Sequence, residues 1–176
     1  MNFDGILDLV VSDRDANDFA IHLGVGDGSF QAQPFFEGVG AGNVVAAADL
    51  NGDELVDIAA ANTDTGQFSV LLEQGFAGKF SETYRGNTAS SPTGLAVADL
   101  NADGYLDLVE TEMTGVLTVR FGEGNGHFTD GQMSASTFGA LLGPLVDVTG
   151  DSVLDAIALD AGGSTMSLFV GRRAVR

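Results

Sequence analysis

The chain has 176 residues, enough for one domain with a core of its own. It carries 25 acids against 7 bases, a net charge of −18, yet 44 % of its residues are hydrophobic and only 18 % charged. That balance excludes a disordered acidic tail and argues against nucleic acid or an anionic membrane as partner, because phosphate recognition needs a basic surface. There is no cysteine, hence no disulfide, no thiolate nucleophile and no zinc–sulfur site. No apolar run is long enough to span a bilayer. The opening residues Met1 to Gly5 have neither a basic nor an apolar stretch, so they show no secretion signal.

In chain order, the first feature is a short acidic loop, Asn2-Phe3-Asp4-Gly5-Ile6-Leu7-Asp8. An alternating stretch follows, with Phe19, Ile21 and Leu23 on one side. It ends in a glycine turn closed by phenylalanine, Gly26 to Phe30. Val44–Ala48 is small and apolar and leads into Asp49-Leu50-Asn51-Gly52-Asp53-Glu54-Leu55-Val56-Asp57. Leu55–Ala61 reads as a second strand and Asn62–Gln67 as a turn. Phe68, Val70 and Leu72 define a third strand. Gly75–Gly78 is a turn closing on Phe80, and Lys79–Arg85 reads as a fourth strand.

The same order then repeats. Gly94–Ala98 is small and apolar, and Asp99-Leu100-Asn101-Ala102-Asp103-Gly104-Tyr105-Leu106-Asp107 follows. Leu117, Val119 and Phe121 alternate, and Gly124 to Phe128 forms the closing turn. A last loop runs Asp147-Val148-Thr149-Gly150-Asp151-Ser152-Val153-Leu154-Asp155, and Met166, Leu168 and Val170 mark another third strand. No stretch sustains a helical period.

Matching aspartates Asp4, Asp53, Asp103 and Asp151 lie 49, 50 and 48 residues apart. A period this long is the mark of a repeat architecture. The expected fold is all-β: a β-propeller built from four-stranded antiparallel blades, here a partial propeller of two complete and two partial repeats. The repeats fall at about 1–42, 43–91, 92–139 and 140–176, within a single segment spanning 1–176. Small residues on each first strand suit a crowded axis where several sheets converge. A β-sandwich is the alternative, but it does not require the same loop and the same closing phenylalanine in every repeat. The chain opens inside a loop and ends where a fourth strand is due, which reads as a piece of a longer protein.

The loop-and-strand unit, clearest in Asp99–Leu108, resembles the FG-GAP and VCBS repeats. The resemblance covers essentially the whole chain and implies the integrin-α-like β-propeller, usually of seven blades, with calcium in its loops.

Clustered carboxylates repel unless a cation sits between them. Calcium takes six to eight oxygens at about 2.3–2.6 Å, and a nine-residue loop supplies them from side chains at positions 1, 3, 5 and 9 and the carbonyl at position 7. The resemblance implies the same roles. The candidate ligands are Asp49, Asn51, Asp53, Leu55 and Asp57 in the first loop and Asp99, Asn101, Asp103, Tyr105 and Asp107 in the second. The third loop offers Asp147, Thr149, Asp151, Val153 and Asp155, and the truncated loop offers Asn2, Asp4 and Asp8. The second loop ranks strongest, since Gly104 frees the backbone at position 6. The first has Glu54 there. The third has Ser152 there and only a neutral Thr149 at position 3.

Asp, Asn and Gly also favour plain solvated turns, but three copies in register argue for a shared purpose. An EF-hand matches the second loop through Glu110 at position 12, yet Ala60 and Ala158 stand there in the other loops and the flanks read as strands.

Catalytic signals are thin. His22 aligns with Leu71, Arg120 and Phe169 as a strand residue, and His127 lies in a glycine turn. Gly38–Gly42 only approaches a G-x-G-x-x-G pattern, and Arg172, Arg173 and Arg176 read as a solvated tail. Two functions are expected. The first is a non-catalytic, calcium-binding module for adhesion, binding or scaffolding, with a protein or glycan ligand. The second is an accessory or catalytic propeller portion of a larger secreted enzyme. Weak calcium modules suit extracellular concentrations, so the expected home is extracellular, cell-surface or periplasmic. Open sheet edges also predict that the chain alone either self-associates to close the propeller or is a marginal, aggregation-prone monomer.

Overall fold

The computed structural model describes residues 2, 4–13, 15, 18–32, 44–75, 79–88, 91–135, 140–160, 162 and 165–173. Residues 38–42, 76–78 and 176, singled out above, lie outside the described residues.

Every described element is a strand, and the strands form four sheets in chain order. The first sheet holds β1 (Leu9–Asp13), β2 (Asp18–Gly24) and β3 (Phe30–Ala32). The second holds β4 (Val44–Ala48), β5 (Asp57–Asn62), β6 (Gln67–Glu73) and β7 (Phe80–Asn87). The third holds β8 (Pro92–Ala98), β9 (Asp107–Glu112), β10 (Val116–Gly122) and β11 (Phe128–Ala135). The fourth holds β12 (Ala140–Val146), β13 (Asp155–Asp160) and β14 (Met166–Phe169). Each sheet is a sequential antiparallel meander. Among the described residues the four-stranded unit is complete twice and present with three strands twice, and the four sheets do not close on themselves.

The position of the acidic loops aligns the sheets. The loop precedes β1, β5, β9 and β13, so β1 is a second strand and β3 a fourth. The first sheet thus carries strands two to four of the unit, and the fourth sheet carries strands one to three.

The period-2 alternation of side chains sends neighbouring residues to opposite faces, and here both faces pack. Ile58, Ala60 and Leu71 of the second sheet meet Phe19 and Ile21 of the first. Its opposite face, with Ala59, Ala61, Phe68 and Val70, meets Leu95, Leu108 and Phe128 of the third. Val109, Leu117 and Val119 then meet Ala156, Ala158 and Phe169 of the fourth. The alanines let the sheets approach, while Phe19, Phe68 and the leucines fill the space between them.

Two of the closing phenylalanines pack against the sheet that precedes their own. Phe80 packs edge-on to Phe19 of the preceding sheet, ring centroids 6.1 Å apart. Phe128 lies 6.2 Å from Tyr84, whose hydroxyl donates to the Phe128 carbonyl at 3.0 Å. Phe30, the same residue in the first sheet, has no preceding sheet among the described residues and is 44 % exposed. At the other end, Leu159, Met166 and Leu168 share an exposed face of the fourth sheet.

Candidate metal centre

All the acidic loops lie at one end of the sheets, between the first and second strands of the unit. Each is closed by its own side chains. In the first loop Asp49 accepts the N–H groups of Gly52, Asp53 and Glu54 at 2.7, 3.1 and 2.8 Å. In the second, Asp99 accepts those of Asn101, Asp103 and Gly104 at 3.3, 3.3 and 3.0 Å. In the third, Asp147 accepts those of Gly150, Asp151 and Ser152 at 2.6, 3.2 and 2.9 Å.

Positions 3 and 5 are joined in the same way. Asn51 donates to Asp53 and Asn101 to Asp103, both at 2.9 Å. Asn2 donates to Asp4 at 2.7 Å in the truncated loop. Thr149 has no amide to do this, which sets the third loop apart as its sequence suggests. Position 5 then accepts the N–H of position 7, from Leu55 and Tyr105 at 2.8 Å and from Val153 at 2.9 Å. Ile6 donates to Asp4 likewise at 2.8 Å.

Position 9 has a role that the sequence reading missed. Asp57 is fully buried and accepts from Leu50 N–H and Glu73 N–H, both at 2.9 Å. Asp107 accepts from Leu100 at 2.8 Å and from Gly122 at 3.0 Å. Asp155 accepts from Val148, Thr149 and Gly171, and Asp8 from Gly24. This carboxylate ties the loop to the far end of the third strand. The approach is close: a Cβ added at Gly122 would strike the Leu106 carbonyl. The signal for this role was visible as a glycine 15 or 16 residues after Asp8, Asp107 and Asp155.

Burial pushes the carboxyls of Asp57 and Asp107 up to about 6. The backbone N–H groups pull the other way, while Asp53 and Asp49, or Asp103 and Asp99, add like-charge repulsion. At Asp155 burial also pushes upward, but three backbone donors outweigh it and hold the carboxyl below its usual range.

Position 6 requires a left-handed backbone. Gly5, Glu54, Gly104 and Ser152 have φ of 79°, 67°, 95° and 68°. Position 4 does too, at Gly52, Ala102 and Gly150, which sequence reading did not anticipate. An L side chain there costs about 1–2 kcal/mol. Glu54→Gly is therefore expected to stabilise the cation-free protein by about 1 kcal/mol, less the added freedom of the unfolded chain. Urea unfolding in EDTA checks this: an unchanged or lower midpoint at constant slope would refute it.

The loops suit a hard cation in donor type, since every candidate is an oxygen. The repulsion felt at Asp57 and Asp107 is what a cation would relieve. As they stand, however, the carboxylates are turned onto backbone N–H groups, and no three acidic or histidine side chains converge as a metal cluster among the described residues. Ligation would require positions 1, 3 and 5 to swing toward a common centre. The EF-hand alternative fails, because the flanks of the second loop are β8 and β9. Glu110 is instead buried between the second and third sheets, where it meets Arg120.

The FG-GAP-like repeat family matches residues 1–60 and 49–110. The chain belongs to that family. The two matched segments contain the truncated, first and second loops, and the third lies beyond them. No curated protein matches the chain. The FG-GAP-like assignment agrees with the four antiparallel sheets and with the loop at the same place in each.

His22 sits mid-strand in β2 opposite Leu9, and exposed His127 lies 5.4 Å from the Tyr84 ring.

Proposed function

We propose that this chain is a segment of a calcium-binding β-propeller that serves as a binding, adhesion or scaffolding module rather than as a catalyst. The observation that carries the proposal is the recurrence of one oxygen-lined loop, with one hydrogen-bond pattern, at one place in three successive sheets. Asp49, Asn51, Asp53 and Asp57 with the Leu55 carbonyl would hold the ion in the first loop. Asp99, Asn101, Asp103 and Asp107 with the Tyr105 carbonyl would do so in the second. Calcium would supply charge neutralisation and a fixed loop shape, and no reaction chemistry.

The partner is a protein or a glycan met outside the cytoplasm, where calcium is high enough to fill loops of modest affinity. FG-GAP repeats occur mostly in extracellular or periplasmic proteins, which supports that location.

Calcium added after EDTA is expected to raise the melting temperature, and magnesium at equal concentration to do much less. A ligand that binds only the folded state stabilises it by about 2.7 kcal/mol at a hundredfold excess over Kd. Asp103→Ala should remove the second loop's share of the shift. A melting temperature indifferent to calcium would overturn the metal assignment and, with it, the argument for location. Turnover of glycans or esters by the chain alone would overturn the non-catalytic reading.

A further inference from the structure

Two steps in the chain set an asparagine before a glycine, Asn51-Gly52 and Asn125-Gly126. That pairing has a chemistry of its own. The backbone nitrogen of the second residue can attack the side-chain carbonyl carbon of the first, and glycine, with no Cβ, leaves the approach open. Both asparagines are already folded over the glycine. Asn125 Oδ1 accepts the N–H of His127 at 2.8 Å, and Asn51 Oδ1 accepts that of Asp53 at 3.0 Å. Each bond closes an Asx-turn, and Gly126 and Gly52 have left-handed φ of 81° and 80°. Asn101 makes the same turn, but it is buried and Ala102 follows it.

The two Asn-Gly steps differ in what holds the reacting atoms. Gly52 N–H donates to Asp49 Oδ1 at 2.7 Å, and Asn51 Nδ2 donates to Asp53 at 2.9 Å. Nucleophile and leaving group are both tied to carboxylates, and the negative charge of the reaction would develop among them. In the closing turn of the third sheet, Gly126 N–H and Asn125 Nδ2 have no acceptor among the described residues. Asn125 is exposed, and His127 N–H already points at the oxygen on which charge develops.

We propose that Asn125 is a site of spontaneous covalent modification, where the folded chain loses ammonia through a cyclic imide, and that the acidic loop protects Asn51 from the same reaction. The Gly126 nitrogen gives its proton to solvent and bonds to the Asn125 side-chain carbonyl carbon. The bond from that carbon to Nδ2 breaks, and Nδ2 leaves as ammonia with a proton taken from solvent. Water then adds to either imide carbonyl and breaks one C–N bond, giving aspartate or isoaspartate. The aspartate form fits the turn, because Asp27 makes the same turn in the first sheet and accepts from Ser29 N–H at 2.8 Å. Isoaspartate adds a methylene to the main chain, inside a turn closed by Glu123 N–H on the His127 carbonyl at 3.0 Å. His127 and Phe128 hold the Tyr84 ring of the second sheet, at 5.4 and 6.2 Å between centroids, so this product loosens the seam between the two sheets.

The test ages the full chain in EDTA at mildly alkaline pH and follows both steps by peptide mapping and mass spectrometry, with a parallel sample in urea. EDTA keeps the outcome independent of calcium. In the folded chain Asn125 is expected to convert about tenfold faster than Asn51, the factor that one hydrogen bond to a charged group supplies. In urea the two should convert at similar rates, because both are then bare Asn-Gly steps. Asn125→Asp should melt like the fresh protein, and the aged protein should melt lower as its isoaspartate content rises. Equal rates in the folded chain would overturn the proposal, and so would Asn51 converting first. An Asn125 that persists in the folded chain while it converts in urea would overturn it as well. Aged protein rich in isoaspartate that melts like Asn125→Asp would overturn the loosening of the seam.

Discussion

Replacing Arg120 with alanine is expected to cost about 3–5 kcal/mol, the usual loss when one partner of a buried ion pair is removed. Arg120 on β10 is 7 % exposed and Glu110 on β9 is fully buried. The guanidinium donates to Glu110 at 3.2 Å, to Asp130, and to the Asn87 carbonyl of the second sheet at 2.7 Å. It also lies 4.7 Å from the centre of the Phe68 ring. One side chain thus joins two sheets and neutralises a fully buried carboxylate. Glu110 Oε1 and Thr118 Oγ1 are already without hydrogen-bond partners.

The loss should depend on pH, and its sign follows from Glu110. Burial pushes this carboxyl up to about 7, against the pull of Arg120 and with repulsion from Glu112 and Asp130. In the unfolded chain it titrates near 4.5. The folded state therefore holds the proton more tightly, and the stability this contributes is present below pH 4.5 and lost as pH rises toward 7. Without Arg120 the charged form has no partner. The cost of Arg120→Ala should then be larger at pH 8 than at pH 5, and Glu110→Gln in the same chain should recover much of it. Urea unfolding of the four proteins of this cycle, at both pH values, provides the test. Equal losses at the two pH values with additive mutations would show that Arg120 acts by packing alone.

Asp107→Ala should cost about 3 kcal/mol even with no cation present. Its two oxygens accept from Leu100 and Gly122, and it is fully buried. Alanine leaves two N–H groups without acceptors, each costing about 1–3 kcal/mol where water cannot reach. Asp107→Asn keeps one acceptor and should lose roughly half as much. Asp103 is the contrast. It is exposed and holds only the local turn to Tyr105 and the bond from Asn101, so Asp103→Ala should cost under about 1 kcal/mol in EDTA. If Asp107→Ala were as mild as Asp103→Ala in EDTA, the buried aspartate would be no more than a turn residue.

Much of the fold was legible because the repeat shows the same pattern several times. Val44–Ala48 was bounded to the residue by the small apolar run before Asp49. The third strand appeared in Phe68, Val70 and Leu72, now within β6. Val170, placed with Met166 and Leu168, falls just past the end of β14. The site was legible in composition but not in division of labour. Spacing gave Asp57 and Asp49 one role as ligands. The fold separates them, because only a long-range partner such as Glu73 N–H reveals that position 9 fastens the loop to the sheet. Arg120 and Glu110 carry little signal in the linear sequence, where one aligns with His22 as a strand residue and the other falls at position 12 of an EF-hand pattern. Their pairing depends on β9–β10 register, which a linear pattern does not contain. The available hint was a lone basic residue, Arg120, on the strand that follows the acid-bearing strand of Glu110 and Glu112.

The strictly sequential meander also bears on how the molecule is assembled in time. Among the described residues, every ladder joins consecutive strands. Each hairpin can therefore form from residues already close along the chain, before any distant segment is available. Stacking of one sheet on the next then requires only the neighbour made just before it, as in other repeat arrays. A nascent chain emerging from a ribosome could complete the second sheet while the third is still being synthesised. The early product is held back only by its one uncovered face, and the next forty or fifty residues would cover it.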